Sequence, residues 1–269
     1  MEVRAKKSLG QHFLTDQNVA QKIVETLDCS DNEGITDVLE IGPGMGVLTQ
    51  YLLQREDLNL KMVEIDDESV QYLLTHFNGM QGKLYEADFL KLPLEKIFPD
   101  KFLIIGNFPY NISSQIFFKI LDYKDSIPQV VCMIQKEVAE RIAEKPGTKT
   151  YGILSVLLQA WYDIEYILSV GSGSFSPPPK VQSAVIRLKR NNRTDLGCNP
   201  SLFKTIVKTS FNQRRKTLRN SLKPVIQDFM KRKNLSSVPE NFLTDPVFDL
   251  RPERLSVEEF IDLTKRFED

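Results

Sequence analysis

A glycine-rich turn directly follows a predicted β-strand and precedes a predicted helix. Residues 37–41 are predominantly apolar and predict a buried strand, and Gly42, Gly44 and Gly46 come immediately after it. Residues 47–53 then place apolar side chains at helical spacing. Glycine lets the backbone turn sharply and lets a ligand approach it closely. The segment therefore predicts a strand–turn–helix unit with a ligand site at the beginning of the helix.

Strands and helices continue to alternate along the chain as far as residue 161. The further predicted strands are residues 60–65, 83–87, 102–106 and 129–134, and the further predicted helices are residues 68–77, 114–121, 136–143 and 153–161. This alternation is typical of βαβ units, so we expect an α/β fold with a mostly parallel sheet that is covered on both faces. Residues 164–170 and 181–188 are rich in β-branched and aliphatic side chains, and the loop between them contains three prolines. They predict an antiparallel hairpin at the edge of the sheet.

The pattern changes after residue 191. Helices are predicted at residues 202–211, 215–222, 225–233 and 257–267, with no strand between them. We therefore expect two domains, an α/β domain at residues 1–191 and a small helical domain at residues 192–269.

The predicted helical domain carries a basic segment, although the whole chain has a net charge of only −1. Residues 201–233 hold ten basic residues and one acid, Asp228. Such a segment can attract a polyanion locally, and a solvated helix face is the alternative interpretation.

The composition also excludes several classes of protein. The apolar runs are too short to span a membrane, and the basic residues 4–7 are not followed by the apolar segment of a signal peptide. The three cysteines, Cys29, Cys132 and Cys198, have no spacing that indicates a disulfide framework or a zinc site. We therefore expect a cytoplasmic protein without a metal site.

Two acidic residues stand where the next two predicted strands end. Glu64 can accept hydrogen bonds from both hydroxyls of a ribose, and Asp88 can accept one from an adenine amino group. A tight turn without a ligand would explain the glycines but not the two carboxylates. A dinucleotide site is a second interpretation, although the glycine spacing is G-x-G-x-G rather than G-x-G-x-x-G. The third is S-adenosylmethionine, a nucleoside without phosphates, and the glycine turn by itself does not decide among them.

The residues after the fourth parallel strand favour methyl transfer to an amino group. They are Asn107, Phe108, Pro109 and Tyr110. The N6 lone pair of adenine is delocalised into the ring, so the side-chain carbonyl of Asn107 and the backbone carbonyl of Pro109 would bind the two N6 hydrogens and aim the lone pair at a methyl sulfonium. Tyr110 can stack on the base. The same tetrapeptide is also good turn chemistry, but its place at a strand end beyond the glycine turn and the two carboxylates favours catalysis.

Together these motifs resemble the small-subunit ribosomal RNA adenine dimethyltransferase family over nearly the whole chain. Residues 7–14 resemble the N-terminal segment that folds over the cofactor in that family. The glycine turn, the two carboxylates and residues 107–113 follow in the family's order. Residues 135–141 and residues 175–185, which include three consecutive prolines, are together specific to it.

The resemblance implies a fold, a reaction and a partner. The fold would be a Rossmann-like S-adenosylmethionine methyltransferase fold with a small C-terminal helical domain that binds RNA or the ribosome. The reaction would dimethylate N6 of two adjacent adenines in the 3′-terminal hairpin loop of small-subunit (16S) rRNA, with S-adenosyl-L-methionine as cofactor. The partner would be 16S rRNA in the immature 30S subunit, and we expect the chain to act as a monomer in ribosome biogenesis.

Carried over by position, the resemblance also assigns contacts to individual residues. The cofactor would contact His12, Leu14, Gly42, Gly44, Glu64, Asp88 and Asn107. The catalytic residues would be Asn107, Pro109 and Tyr110. The substrate base would contact Phe108, Tyr110 and Phe175, and RNA phosphates would contact the basic segment that contains Arg214, Arg215, Lys216 and Arg219 at helical spacing. His12 stands where some members have Asn, and Phe108 replaces a commoner Leu.

Three alternatives stay open. A related antibiotic-resistance enzyme dimethylates a large-subunit rRNA adenine, although the triple-proline segment and the long helical tail favour the small-subunit reaction. A DNA adenine methyltransferase would more often carry two prolines in the tetrapeptide and a target-recognition domain. A ribosome-assembly factor could dock on the immature subunit with methylation secondary, but Glu64, Asp88 and Asn107 argue against a loss of activity.

Overall fold

The computed structural model describes residues 3–29 and 34–268, and the chain divides into two compact units. The first unit consists of Met1–Ala139 and Asp163–Arg190, and the second consists of Glu140–Tyr162 and Asn191–Asp269. The chain enters the second unit for the last time between Arg190 and Asn191, next to the predicted domain boundary between residues 191 and 192. Residues 140–162, however, are predicted in the α/β domain and belong to the second unit, because the helix at Ile153–Gln159 packs against helices of the C-terminal region.

The first unit is built on a mixed sheet that runs in the order β4-β3-β2-β5-β6-β9-β7. In the part of the chain that the structure describes, its strands are β2 (Asp37–Ile41), β3 (Asn59–Glu64), β4 (Leu84–Glu86), β5 (Leu103–Asn107), β6 (Gln129–Gln135), β7 (Tyr162–Val170) and β9 (Ser183–Arg190). The strands from β4 to β6 pair in parallel, and β9 pairs antiparallel with β6. The predicted fold class, a mostly parallel sheet with antiparallel strands at one edge, is confirmed.

A separate two-stranded sheet joins the N-terminal segment to the triple-proline segment. It pairs β1 (Phe13–Leu14) antiparallel with β8 (Phe175–Ser176). Neither strand is among the sequence-based predictions, because a two-residue strand has no periodicity that a sequence pattern could show.

Helices cover the sheet of the first unit. They are α1 (Gln17–Thr26), α2 (Thr49–Leu52), α3 (Asp67–His76), α4 (Ser113–Asp122) and α5 (Lys136–Ala143), the last of which continues into the second unit. The helix α1 is absent from the predictions. It begins at an N-cap, Asp16, whose carboxylate accepts from the backbone N–H groups of Asn18 and Val19, and it buries Ile23 and Val24 in the core.

The second unit is helical in the residues that the structure describes. It contains α6 (Ile153–Gln159), α7 (Pro200–Asn212), α8 (Leu218–Ser221), α9 (Lys223–Arg232) and α10 (Val257–Lys265). Caps define two of their beginnings: Asn199 accepts from the backbone N–H of Leu202, and Ser256 and Glu259 form a capping box. Its interior is rich in phenylalanine rings, among them Phe229, Phe242, Phe248 and Phe267. None of the helices in residues 3–29 and 34–268 is long and apolar enough to span a membrane.

One predicted helix of this unit is shorter than expected. Residues 215–222 predict a helix, but α8 begins only at Leu218. Ahead of it the backbone turns, because the N–H of Arg214 bonds the carbonyl of Phe211 and the N–H of Lys216 bonds that of Gln213. Arg214, Arg215 and Lys216 therefore lie in a turn and are not spaced along a helix.

The packing of the glycine turn against the ring of Phe77 can be tested by substitution. Gly46 has a φ of +79°, and a Cβ atom there would lie 2.5 Å from the ring of Phe77. Gly79 has a φ of +74° with nothing within 4 Å of such a Cβ atom. Alanine at either site carries the left-handed backbone strain of about 1–2 kcal/mol. We expect Gly46→Ala to lower the free energy of unfolding by a further 1–3 kcal/mol, roughly, because the Phe77 ring must move.

Urea denaturation of the two variants measures this difference directly. Gly79→Ala is the matched control for the strain alone. Equal losses of stability in the two variants would show that the turn and the Phe77 ring are not in tight contact.

Candidate active site

A cavity of about 290 Å³ lies at the carboxyl ends of the parallel strands in the first unit. Its walls come from residues 8–14, the glycine turn and the ends of β3, β4 and β5. The predicted site residues that line it are His12, Leu14, Gly42, Gly44, Glu64, Asp88, Asn107, Phe108, Pro109 and Tyr110. The fold thus brings together the strand ends that the sequence predicts as a site.

Glu64 connects the glycine turn to the next strand end. The backbone N–H of Gly44 donates to its Oε2 at 2.9 Å, and the N–H groups of Ile65 and Asp66 donate to its Oε1 at 2.9 Å each. Burial raises the pKa of Glu64, and these N–H groups partly offset the rise. A carboxylate oxygen can accept two hydrogen bonds, so Oε2 keeps one acceptor position for a ligand hydroxyl.

A second carboxyl group, Glu40, lines the same cavity and is absent from the predicted site residues. It is 1% exposed, and the Thr49 hydroxyl donates to its Oε2 at 2.7 Å. Burial raises the pKa of Glu40 to about 8. An acidic residue inside a predicted buried strand is the sequence signal that could have identified it, because an acid is rarely buried without a partner.

Asp88 lies on the turn that follows β4. Its Oδ1 accepts from the backbone N–H of Leu90 at 2.9 Å, and its Oδ2 lies 3.5 Å from the ammonium of Lys91. The carboxylate is partly exposed and lines the cavity, so it retains acceptor positions for a ligand amino group.

Asn107 presents an unpaired acceptor at the end of β5. Its Nδ2 donates to the backbone carbonyl of His12 at 3.1 Å. Because a carbonyl can only accept, this bond requires the amide nitrogen to face His12 and leaves Oδ1 on the other side. Among the described residues Oδ1 is buried with no hydrogen-bond partner. A buried unsatisfied acceptor costs about 1–3 kcal/mol, so the site is suited to an N–H donor of a ligand.

Tyr110 is held on two sides. Its hydroxyl hydrogen-bonds the hydroxyl of Ser183, a fully buried residue of β9, and its ring stacks on the ring of His12 with the centroids 5.3 Å apart. The Nδ1 of His12 lies 2.9 Å from the carbonyl oxygen of Pro177, so this nitrogen carries a proton and donates. Burial raises the pKa of Tyr110. The tyrosine therefore enters the cavity as a neutral ring of defined orientation.

The carbonyl of Pro109 is less available than the sequence suggests. It accepts from the backbone N–H of Ile112, although at a long 3.3 Å. One lone pair of this oxygen remains for a second donor.

The N-terminal segment is fastened over the cavity by polar contacts that the sequence-based predictions do not include. The ammonium of Lys6 pairs with Asp66, and Gln11 Nε2 donates to Asp66 Oδ2 at 3.0 Å. On the other side, Asn111 Nδ2 donates to the carbonyl of Ser8 at 3.2 Å. Residues 8–14 therefore form one wall of the cavity.

The remaining predicted site residues lie elsewhere. Phe175 is 4% exposed, pairs with Leu14 across β1 and β8, and belongs to the hydrophobic core rather than to the cavity lining. Within the second unit, Arg214 donates to the carbonyl of Thr148 and Arg219 pairs with Asp249 at 2.8 Å, whereas the side chains of Arg215 and Lys216 are exposed. Over the described ranges, no group of three or more His, Cys, Asp or Glu side chains is arranged to hold a metal ion.

Sequence comparisons identify related proteins. The sequence profile of the family described as Ribosomal RNA adenine dimethylase matches residues 2–246. A protein of Parabacteroides distasonis named Ribosomal RNA small subunit methyltransferase A is 58% identical over 262 residues, which cover 97% of this chain and 93% of that protein.

Two solved structures are similar in fold. A dimethyladenosine transferase from Plasmodium falciparum superimposes with a TM-score of 0.76 at 25% identity and covers 96% of this chain and 98% of that one. The 23S rRNA methyltransferase ErmE superimposes with a TM-score of 0.62 at 25% identity and covers 96% of this chain and 100% of that one.

The buried Glu40 predicts a pH dependence of stability. Its folded-state pKa of about 8 lies above its ordinary value of 4.5, so the folded protein holds a proton that the unfolded chain releases. The stabilising contribution is therefore full below the ordinary pKa and is lost as the pH rises through about 8. Glutamine keeps an acceptor for Thr49 and cannot ionise. We expect Glu40→Gln to be more stable than the wild type at about pH 9 by on the order of 1–3 kcal/mol, and to show no such advantage at about pH 4.

Urea unfolding of the two proteins over this pH range measures the effect. Parallel stability curves would show that Glu40 ionises at its ordinary pKa and is not the source of a pH dependence.

Proposed function

This chain belongs to the ribosomal RNA adenine dimethylase family, and on that premise we propose that it transfers methyl groups from S-adenosylmethionine to N6 of adenines in small-subunit rRNA. It is an S-adenosylmethionine-dependent methyltransferase. The proposed products are two adjacent N6,N6-dimethyladenines in the 3′-terminal hairpin loop of 16S rRNA.

The lining of the cavity fits S-adenosylmethionine better than a dinucleotide. Glu64 and Asp88 provide acceptors for ribose hydroxyls and for an adenine amino group, while Glu40 and Glu64 are both buried beside the glycine turn. Neither Lys nor Arg is among the described lining residues, so a pyrophosphate would face carboxylates without a countercharge. A cationic sulfonium without phosphates has no such difficulty, and when bound it supplies the methyl group.

The observation that carries the proposal is the unpaired Oδ1 of Asn107. An adenine N6 group has two N–H donors, and this oxygen at the end of β5 and the carbonyl of Pro109 just beyond it can accept them. Binding both hydrogens directs the N6 lone pair towards the methyl carbon. Asn107 and Pro109 would thus hold the amine in line with the methyl group that the bound cofactor would supply, and the proton of the methylated amine would pass to water. The rate enhancement comes mainly from orientation, since the attacking nitrogen and the methyl group are both held.

His12 and Ser183 support this arrangement through other residues. The His12 carbonyl sets the orientation of the Asn107 amide, and the His12 ring and the Ser183 hydroxyl hold Tyr110. We propose that the free face of Tyr110 stacks on the target adenine and that Phe108 packs beneath the pocket. Phe175 supports β1 from the core in this proposal, because its ring faces the core cluster of Leu14.

We further propose that the helical second unit contacts the RNA, in line with the expected role of residues 192–269. Of the four predicted basic residues, the exposed Arg215 and Lys216 are the better placed for phosphates, because Arg214 and Arg219 already have protein partners. The proposed substrate is 16S rRNA within the immature 30S subunit, on which the chain acts as a monomer in the cytoplasm.

The direct test is methyl transfer from labelled S-adenosylmethionine to immature small subunits that lack the modification. We expect N6,N6-dimethyladenosine in the 3′-terminal hairpin fragment when the rRNA nucleosides are separated by mass spectrometry. Label in large-subunit rRNA alone would instead support methylation of 23S rRNA, as in the name of the ErmE enzyme. Absence of label from both RNAs, with S-adenosylhomocysteine still bound, would leave a docking role on the immature subunit and contradict the proposed reaction.

Two variants separate the acceptor from the cofactor contacts. Asn107→Ala removes an acceptor that acts on the reacting amine, so we expect methyl transfer to fall about 10²–10³-fold. The affinity for S-adenosylhomocysteine should fall by a much smaller factor, because Asn107 is only one of the expected cofactor contacts. Glu64→Gln keeps the side-chain shape but loses a charged acceptor, so we expect S-adenosylhomocysteine affinity to fall by about 1.5–3 kcal/mol.

Calorimetric binding and single-turnover transfer distinguish the two effects, with the exposed Asn78→Ala as a control variant. If Asn107→Ala transferred methyl groups at the wild-type rate, the acceptor role proposed for Asn107 would be wrong.

A further inference from the structure

Lys119 lies behind the turn that carries Asp88. It belongs to α4, and its ammonium group donates to the backbone carbonyls of Phe89 and Leu92. The same ammonium lies 4.9 Å from the centroid of the Phe89 ring. A lysine side chain thus fastens both ends of a four-residue segment from one point on a rigid helix.

This turn is a thin wall of the cavity. Residues 87–90 line the cavity on one side, and residues 90–93 with Lys119 line a surface groove on the other. Within the turn, the backbone N–H groups of Lys91 and Leu92 donate to the carbonyl of Asp88, and that of Leu90 donates to its carboxylate. The orientation of the Asp88 carboxylate therefore follows the conformation of the turn.

The charged ammonium group of Lys119 is bound by groups of the protein. Its side chain is half-buried, and desolvation lowers its pKa, while the carboxylates of Asp88 and Glu95 act in the opposite direction. Partial desolvation of an ammonium is unfavourable unless partners replace the water. Here the carbonyls of Phe89 and Leu92 and the ring of Phe89 do so, and all three belong to the segment next to Asp88.

We infer that Lys119 is a positioning residue for Asp88 and thereby determines how strongly the cavity selects a purine that carries a 6-amino group. The inference rests on the proposed function, in which Asp88 accepts a hydrogen bond from the adenine of the cofactor. A carboxylate held at one position distinguishes a purine with that N–H from one without it. A carboxylate on a loosened turn can point to water instead, and the distinction is lost.

The test compares two ligands of the full-length protein by calorimetry. One is S-adenosylhomocysteine, and the other is its analogue with a hydrogen atom in place of the 6-amino group. For the wild type we expect the first to bind roughly tenfold to a hundredfold more tightly, as for a hydrogen bond to a charged group. In Lys119→Met this ratio should fall towards one. Lys119→Arg should restore most of it, because a guanidinium can donate to both carbonyls.

Three further variants make the comparison specific. Asp88→Asn should itself lower the ratio, and adding Lys119→Met to it should lower the ratio no further, because both changes act through one carboxylate. The control is Lys96→Met, since Lys96 is an exposed lysine of the same region outside the cavity lining. Should Lys119→Met not fold, Lys119→Gln replaces it with a side chain that is neutral and one atom shorter, and we then expect a ratio below that of the wild type.

The outcomes separate this inference from the proposed function. If Lys119→Met weakened both ligands by the same factor and left their ratio unchanged, Lys119 would be a structural residue only and the inference would be wrong. If the wild type bound the two ligands with nearly equal affinity, the proposed contact between Asp88 and the adenine would be contradicted, and this inference with it. The methyl-transfer assay does not depend on that ratio and would still report on the proposed reaction.

Discussion

The site is organised around the buried carboxylate of Glu64. It receives backbone N–H groups from two different turns, one from Gly44 and two from Ile65 and Asp66. A single side chain thereby ties the turn after β2 to the turn after β3, and those turns form the floor of the cavity. Hydrogen bonds to a charged carboxylate are stronger than those between neutral groups. The residue that accepts them here, Glu64, is only 5% exposed. The glycine turn can then keep its left-handed residues in place while a ligand approaches the backbone.

The acceptor half of the site depends on the N-terminal segment in a comparable way. Asp66, the residue that helps to hold Glu64, also binds Lys6 and Gln11 and so fastens that segment over the cavity. The segment in turn supplies the His12 carbonyl that orients Asn107. One continuous set of contacts therefore connects the proposed ribose acceptor, Glu64, to the proposed N6 acceptor, Asn107. In the proposed reaction, cofactor binding and base recognition would share this framework, as a reaction that must hold two partners in line requires.

Much of the fold follows from local patterns. The strands β2 and β6 and the helix α5 end within a residue of their predicted bounds, because buried strands and amphipathic helices have clear periodicities. Short or irregular elements do not: β1, β8 and α8 depend on partners that are distant in sequence. Glu40 shows the same limit at the site. Its position in the glycine motif is visible in the sequence, but its burial and its raised pKa become evident only in the packed sheet.

The sequence by itself determined the α/β class, the helical C-terminal region and the placement of Glu64, Asp88 and Asn107 at successive strand ends. These features are encoded by neighbouring residues, and parallel strands bring their carboxyl ends to one edge of the sheet. Only the tertiary structure decided that Phe175 faces the core, that Lys119 lies behind Asp88 and that a carbonyl 95 residues away orients the Asn107 amide. Such contacts join residues far apart in the chain, and their geometry depends on how the elements pack rather than on any local pattern.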